Sequence, residues 1–312
     1  MSRAGTATLN YQLTAYAQGH MNDLGSVIEL AERLAPTVQV PGTAGQYKQF
    51  NDQNSFQVYN TARAMGGDPT RIEFSAADAF YNTKPQALEV TIDEEERRQA
   101  GSDNSLAQQL LDQGKIRALL NLTALSHVKK TVDAVVAAVP AEDKLGGWSA
   151  PDIDPVAQLD QVIDTLATAV GSIEGLRLTF SLSTWRTLRN HPLVIKRCQG
   201  VQVGGITLEQ LNGLLAVPVD AKVYSISYNP AALGQAVAKA RLMSDVVLLT
   251  YSLPNPTQYD PSAFKTFTAG PGGVQAVRSW VSPNGLYDGH FIDWSEDIKQ
   301  TSTIAAKRLK IT

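Results

Sequence analysis

The chain has 312 residues, 43% of them hydrophobic and 18% charged, a composition that folds rather than remains disordered and that leaves room for roughly two domains. Its 27 basic and 30 acidic residues leave a formal charge of -3, which excludes nucleic-acid binding driven by net charge. The single cysteine, Cys198, forbids an intrachain disulfide or a cysteine zinc site. No apolar run reaches the ~18 residues of a membrane span and no signal peptide is recognisable, so the expectation is a cytoplasmic protein without a membrane partner.

Residues 1–46 carry one helical pattern, Leu24, Val27, Ile28, Ala31 and Leu34, ended by Pro36. The surrounding glycines and polar residues read as an extended arm, and a stripe that short has to dock elsewhere to be stable. From Ser55 to Asp93 the residues alternate as strands: Phe56, Val58 and Tyr59 precede a turn at Gly66-Gly67-Asp68-Pro69, and Ile72, Phe74, Leu88, Val90 and Ile92 follow. This predicts a long β-hairpin whose middle, 71–84, is too polar for a core of its own and therefore projects. Its charges Arg71, Glu73 and Lys84 are expected to face a neighbour.

Acids at Asp93, Glu94, Glu95 and Glu96 suit the positive end of a helix. After an interruption at Gly101 and Ser102, with Asn104 or Ser105 as a new cap, apolar positions from Leu106 to Val135 sustain helical spacing up to Pro140. Such a length predicts a structural spine. A turn-rich boundary, GGWSAPDIDP, ends with Asp154 as cap and Pro155 at the first helical position. Beyond it helices and strands alternate: a helix to Val170, a strand 176–182, a helix opened by Ser183 and stopped before Pro192, a helix opened by the Thr207/Gln210 capping box, and strands at 219–226 and 246–251. The tail from Lys265 returns to β character at 277–281, 290–294 and 304–311 and is expected to rejoin the domain of the spine helix.

Sites of chemistry are sparse. The four histidines, His20, His127, His191 and His290, form no metal-ligand spacing. Ser126-x-x-Lys129 and Ser102-Asp103-Asn104 match two pieces of a β-lactamase signature in the wrong order. Gly270-Pro271-Gly272-Gly273 lacks the lysine of a P-loop and reads as a turn. Cys198, beside Lys196 and Arg197, has no identifiable catalytic partner. A serine hydrolase using Ser126, His127 and Lys129 is the alternative from another class.

Arm, hairpin, spine helix, α/β domain and returning β segment, in this order, resemble the major capsid protein of tailed bacteriophages. The phrases that carry the resemblance are Tyr47-Lys48-Gln49-Phe50, Ile92-Asp93-Glu94-Glu95, Trp148-Ser149 with Asp154-Pro155, and Trp185-Arg186-Thr187-Leu188-Arg189-Asn190-His191-Pro192. The resemblance implies an α+β chain of the Hong Kong 97 phage-like fold: N-arm 1–50, E-loop hairpin 51–92, P-domain 93–155 with 265–312, and α/β A-domain 156–264.

It also implies a homo-oligomer, pentamers and hexamers of an icosahedral shell around double-stranded DNA bound without sequence specificity. The partners to expect are a separate scaffolding protein, a portal and a decoration protein, with no catalytic, cofactor or metal site. The location implied is the virion, and the host cytoplasm during assembly. Inter-subunit contacts are expected at Leu24, Val27, Ile28, Leu34, Arg71, Glu73 and Lys84. With Met1 at its start the arm is expected to stay uncleaved, and a Lys84–Asn284 crosslink between neighbours is considered and disfavoured. A cellular compartment shell of the same fold is the other alternative.

Overall fold

The computed structural model describes residues 7–50, 61–63, 65–68, 77–101, 105–142, 147–198, 205–232, 234–269 and 276–311. In chain order the first elements are β1 (Thr8–Leu9), α1 (Tyr11–Asp23), α2 (Gly25–Leu34), β2 (Thr37–Val40), β3 (Ala44–Gln49), β4 (Ala77–Asn82), β5 (Lys84–Asp93), α3 (Glu94–Gly101) and α4 (Ser105–Ala138). Next come β6 (Ala141–Glu142), α5 (Pro155–Val170), β7 (Leu176–Ser181), α6 (Leu182–Arg189), α7 (Pro192–Arg197), α8 (Leu208–Leu214), β8 (Asp220–Tyr224), β9 (Ser227–Tyr228) and β10 (Ala240–Arg241). The last are β11 (Val246–Tyr251), β12 (Phe264–Ala269), β13 (Val277–Val281), β14 (Tyr287–Gln300) and β15 (Ala306–Lys310). The chain divides into two compact units, 1–45 with 81–132 and 266–298, and 46–80 with 133–265 and 299–312.

The first unit is a six-stranded sheet, β1-β13-β14-β12-β2 with β5 also on β14, under helical cover. Leu13 and Ala17 of α1, Ile116, Leu119 and Leu120 of α4, Val277 of β13 and Ile292 of β14 form its core. The arm is thus built into its own unit. Asn10 caps α1 by accepting from the Leu13 amide at 3.1 Å, and β2 runs parallel to β12 from Thr37 opposite Thr266 to Val40 opposite Ala269. Leu34, expected at a subunit contact, is 1% exposed. Leu24, Val27 and Ile28 remain half-buried. Two helices rather than one occupy the arm because Leu24 serves at once as the end of α1 and the cap of α2.

The expected hairpin differs as well. β5 pairs antiparallel with β14 over ten residues, Lys84 opposite Glu296 to Asp93 opposite Tyr287. Its alternating Leu88, Val90 and Ile92 need an apolar face, which α4 and β14 supply. β4 pairs with β3 instead. Phe56, Val58, Tyr59, Arg71, Ile72, Glu73 and Phe74 lie outside the described residues. Lys84 opens β5, exposed, whereas Asn284 lies beyond the opposite end of the β5–β14 ladder, where its side chain accepts from the Leu286 amide at 3.3 Å.

The second unit holds a mixed five-stranded sheet, β6-β15-β11-β7-β8, with β7–β8 and β15–β6 parallel and the other pairs antiparallel. Phe180, Val247 and Leu309 form one cross-strand row, and α5 packs on β11 and β15 with Leu159, Ile163 and Leu166 buried. The expected caps hold at Asp154, which accepts from Val156 and Ala157, and at Thr207/Gln210. At α6 the cap is Ser181, not Ser183: β7 ends one residue earlier and the Ser181 hydroxyl accepts from the Thr184 amide at 3.3 Å. The tail divides. β13 and β14 join the first unit, but β15 pairs with β11 in the second, where Leu309 completes the apolar row and Arg308 donates to the Val136 carbonyl of α4 at 2.7 Å, so 299–312 meets the last turns of the spine helix rather than the sheet of β13 and β14.

Candidate functional site: a helix clamped along a strand

Alternate residues of β14, Asp288, His290, Ile292, Trp294 and Glu296, point to one face of the sheet. Their partners on α4 climb in the same order. Asp112 faces His290 and shares Arg97 of α3 with Asp288, Ile292 packs in the core with Ile116, Leu119 and Leu120, and His127 and Lys130 meet Glu296. The six residues from His290 to Glu296 rise about 20 Å as strand, and the fifteen from Asp112 to His127 rise about 22 Å as helix. Helix and strand therefore stay in step from one polar end to the other.

At the Glu296 end the carboxylate is buried. It accepts from His127 Nδ1 at 2.7 Å and from Lys130 Nζ at 2.9 Å, while Lys130 also donates to Gln86 Oε1 at 2.9 Å and lies 5.9 Å from the Trp294 ring centre. Burial pushes the Glu296 carboxyl up, but the bonds and charges of His127 and Lys130 more than reverse this and hold it at about 2.

At the other end Arg97 bridges Asp112 at 3.0 Å and Asp288 at 2.9 Å. Burial also opposes ionisation of Asp112, and His290 and Arg97 outweigh it and lower its carboxyl below the usual range. α3, which presents Arg97, opens as the acids of its first turn require: Asp93 accepts from the Glu95 amide at 2.8 Å and its own amide donates to Glu96 at 3.4 Å.

Ser279, His290 and Asp112 stand in line, with Ser279 Oγ 2.7 Å from His290 Nδ1 and His290 Nε2 3.8 Å from Asp112. The second distance is too long for a hydrogen bond, and His290 is 4% exposed between sheet and helix, so the group is packing rather than a nucleophile with access to substrate. Of the hydrolase candidates, Ser126 is exposed on α4 and Lys129 is half-buried, while His127 is committed to Glu296. Ser102-Asp103-Asn104 and Gly270-Pro271-Gly272-Gly273 lie outside the described residues. Among the described residues no group of three His, Cys, Asp or Glu could hold a metal.

Reading the sequence alone missed the clamp. Its signal was present in the parity of 288, 290, 292, 294 and 296, but charged residues on alternate strand positions read equally as a solvent face until a helix covers them.

In the second unit the phrases Trp148-Ser149 and Trp185 to Pro192 come together. Trp148, 1% exposed, donates from Nε1 to Gln158 Oε1 at 2.8 Å. His191 caps α7, its Nδ1 accepting from the Leu193 amide at 3.3 Å and its Nε2 donating to the Ala150 carbonyl at 3.0 Å. Between them lies a cavity of about 490 Å³, rimmed by Ser149, Arg186, Asn190 and Pro192. A second cavity, about 570 Å³ in the first unit, is lined by both signs of charge, Glu32 and Asp293 against Arg278, and selects no partner by charge.

No protein-family model and no curated protein matches the sequence. Solved structures do match. A phage-related protein from Bordetella bronchiseptica RB50 is similar with a TM-score of 0.74 and 21% identity over 98% of each chain. A prophage protein of Escherichia coli CFT073 assigned as a capsid protein gives a TM-score of 0.58 at 12% identity, over 98% of this chain and 100% of that one. A chain from the capsid of the cyanophage P-SCSP1u gives 0.52 at 13% identity, over 89% and 86%. The mixed helix-and-sheet fold of this chain is, over nearly its whole length, the fold of phage capsid proteins.

Proposed function

We propose that the chain is the major capsid protein of a tailed phage or prophage, a coat subunit that self-assembles into an icosahedral shell around double-stranded DNA. The observation that carries this reading is the extent of the structural likeness, 98% of this chain against the whole of a prophage protein assigned as a capsid protein. The clamp supports it: α4, held to β14 at both ends, gives a stiff plate that can pass load between neighbours, whereas a catalytic role finds no accessible nucleophile beside a free base at Ser126.

In this reading α4 is the spine helix, 51–92 the E-loop, and 156–264 the A-domain, with β15 added to its sheet. The subunits form pentamers and hexamers, in which many modest contacts add through repetition. Scaffolding protein, portal and decoration protein are separate chains, the genome is enclosed without sequence-specific recognition, and the particle forms in the host cytoplasm. The test is sedimentation and light scattering of the purified chain over a range of concentration, salt and crowding agent. Species of megadalton size support the reading, and a chain that stays monomeric throughout contradicts it.

A further inference from the structure

The end of the β13–β14 hairpin exposes three large apolar residues, Val281 at 60%, Leu286 at 58% and Tyr287 at 38%. They are rimmed by three acids, Asp93, Glu94 and Glu95, and one cation, Arg98, which lies 3.8 Å from Glu94 and 3.5 Å from Glu95. Glu94 donates its backbone amide to the Leu286 carbonyl at 2.9 Å, Asp93 stands opposite Tyr287 in the ladder, and the Glu94 and Glu95 side chains are 45% and 63% exposed. Tyr287 rests edge-on against the Trp280 ring at 5.5 Å, while Val281 and Leu286 stay more than half exposed.

The second unit carries the complement. The cavity between Trp148 and α6–α7 is lined by Arg186, and α6 and α7 also expose Arg189 and Lys196, against one exposed acid, Asp152, beside the lining residue Pro151. Ile195, 41% exposed, adds an apolar neighbour. Apolar anchors seated in a pocket and ringed by opposite charges are the usual anatomy of a specific protein contact.

We propose that the hairpin end of one copy, Leu286 foremost, seats in the α6–α7 cavity of a second copy, with Glu94 and Glu95 facing Arg186 and Lys196. This rests on the shell reading and deepens it by naming one pair of faces. The faces are unlike, so the contact is heterologous and propagates from copy to copy until it closes, as a ring or shell requires. Charge chooses this occupant, because a basic rim favours a tip whose acids, Asp93, Glu94 and Glu95, outnumber its one cation, Arg98.

The test is a charge swap. Glu94→Lys with Glu95→Lys, and separately Arg186→Glu with Lys196→Glu, are each expected to lower particle yield roughly tenfold by setting like charges against each other. All four reversals in one chain restore matched faces and are expected to recover most of that yield. Thermal melting of the unassembled chains is followed in parallel. If the tip reversal fails to fold, Leu286→Ser, which lies outside every helix and strand, replaces it and is expected to lower yield by a similar factor. Both pairs assembling like the unaltered chain, a fourfold variant no better than either pair, or an unaffected Leu286→Ser each overturn the contact and leave the shell reading intact. An unaltered chain that never assembles overturns both.

Discussion

Glu296 shows how a buried carboxylate becomes a fastening rather than a cost. Buried alone it would raise its own pKa, but with His127 and Lys130 it stays ionised to about 2. The folded value lies below the ordinary 4.5, so its stabilisation is complete above pH 4.5 and is lost as the pH falls from there toward 2. Glu296→Gln is expected to cost about 2–3 kcal/mol at neutral pH, because it leaves the Lys130 ammonium facing a neutral amide and weakens the bond to His127, and to flatten the acid limb of the stability curve measured by urea denaturation. Gly289 is a second such position. A Cβ there would run into the Trp280 indole and come 2.8 Å from Glu89 Oε1, the carboxylate to which that indole donates. Gly289→Ala is expected to lower stability by about 1–3 kcal/mol, read as a lower melting temperature; an unchanged value would mean that Trp280 moves aside freely.

Among the elements, those specified by local chemistry were legible in the sequence. Asp154-Pro155 opens α5, Thr207/Gln210 opens α8, the acids from Asp93 open α3, and the continuous apolar spacing to Val135 makes α4. What was not legible depends on pairing across the chain. The strand pattern of Leu88, Val90 and Ile92 says that one face is buried but not that β14 buries it, and Ala306 to Lys310 says strand but not which sheet. The arm is the clearest case: its helices had to dock, and α1 does so through Leu13 and Ala17 in the core of its own unit. Deleting residues 1–45 therefore removes β2 and uncovers Leu120, Ile116 and Ile292, and is expected to abolish cooperative unfolding followed by circular dichroism. Leu13→Ala alone is expected to cost about 2–4 kcal/mol. A truncated chain with a sharp transition near that of the full chain would show that the arm is a detachable strap. Lys84, by contrast, is exposed, and its reversal to Glu is expected to leave melting within a degree or two while lowering particle yield; a large drop in melting would place it inside the subunit.

For the whole molecule, the fold was legible from the order of segments more than from any single motif. No residue of the clamp or of the α6–α7 cavity announces a coat protein. Each phrase behind the resemblance also has a local duty: Asp154 caps, Trp148 fills a core, and His191 fastens α7 to Ala150. The expected contact residues divide: Leu34 belongs to the core, Leu24, Val27 and Ile28 stay half-buried and Lys84 exposed, and Arg71 and Glu73 lie outside the described residues. A shell built from such subunits gains stability by repetition, so small changes at a contact are magnified in assembly while the isolated chain scarcely registers them. Electron cryomicroscopy of the purified, assembled chain tests this most directly. Closed icosahedral particles whose subunit density follows α4 along β14 are expected, and monomers or open, unclosed aggregates under every assembly condition would contradict the coat-protein reading.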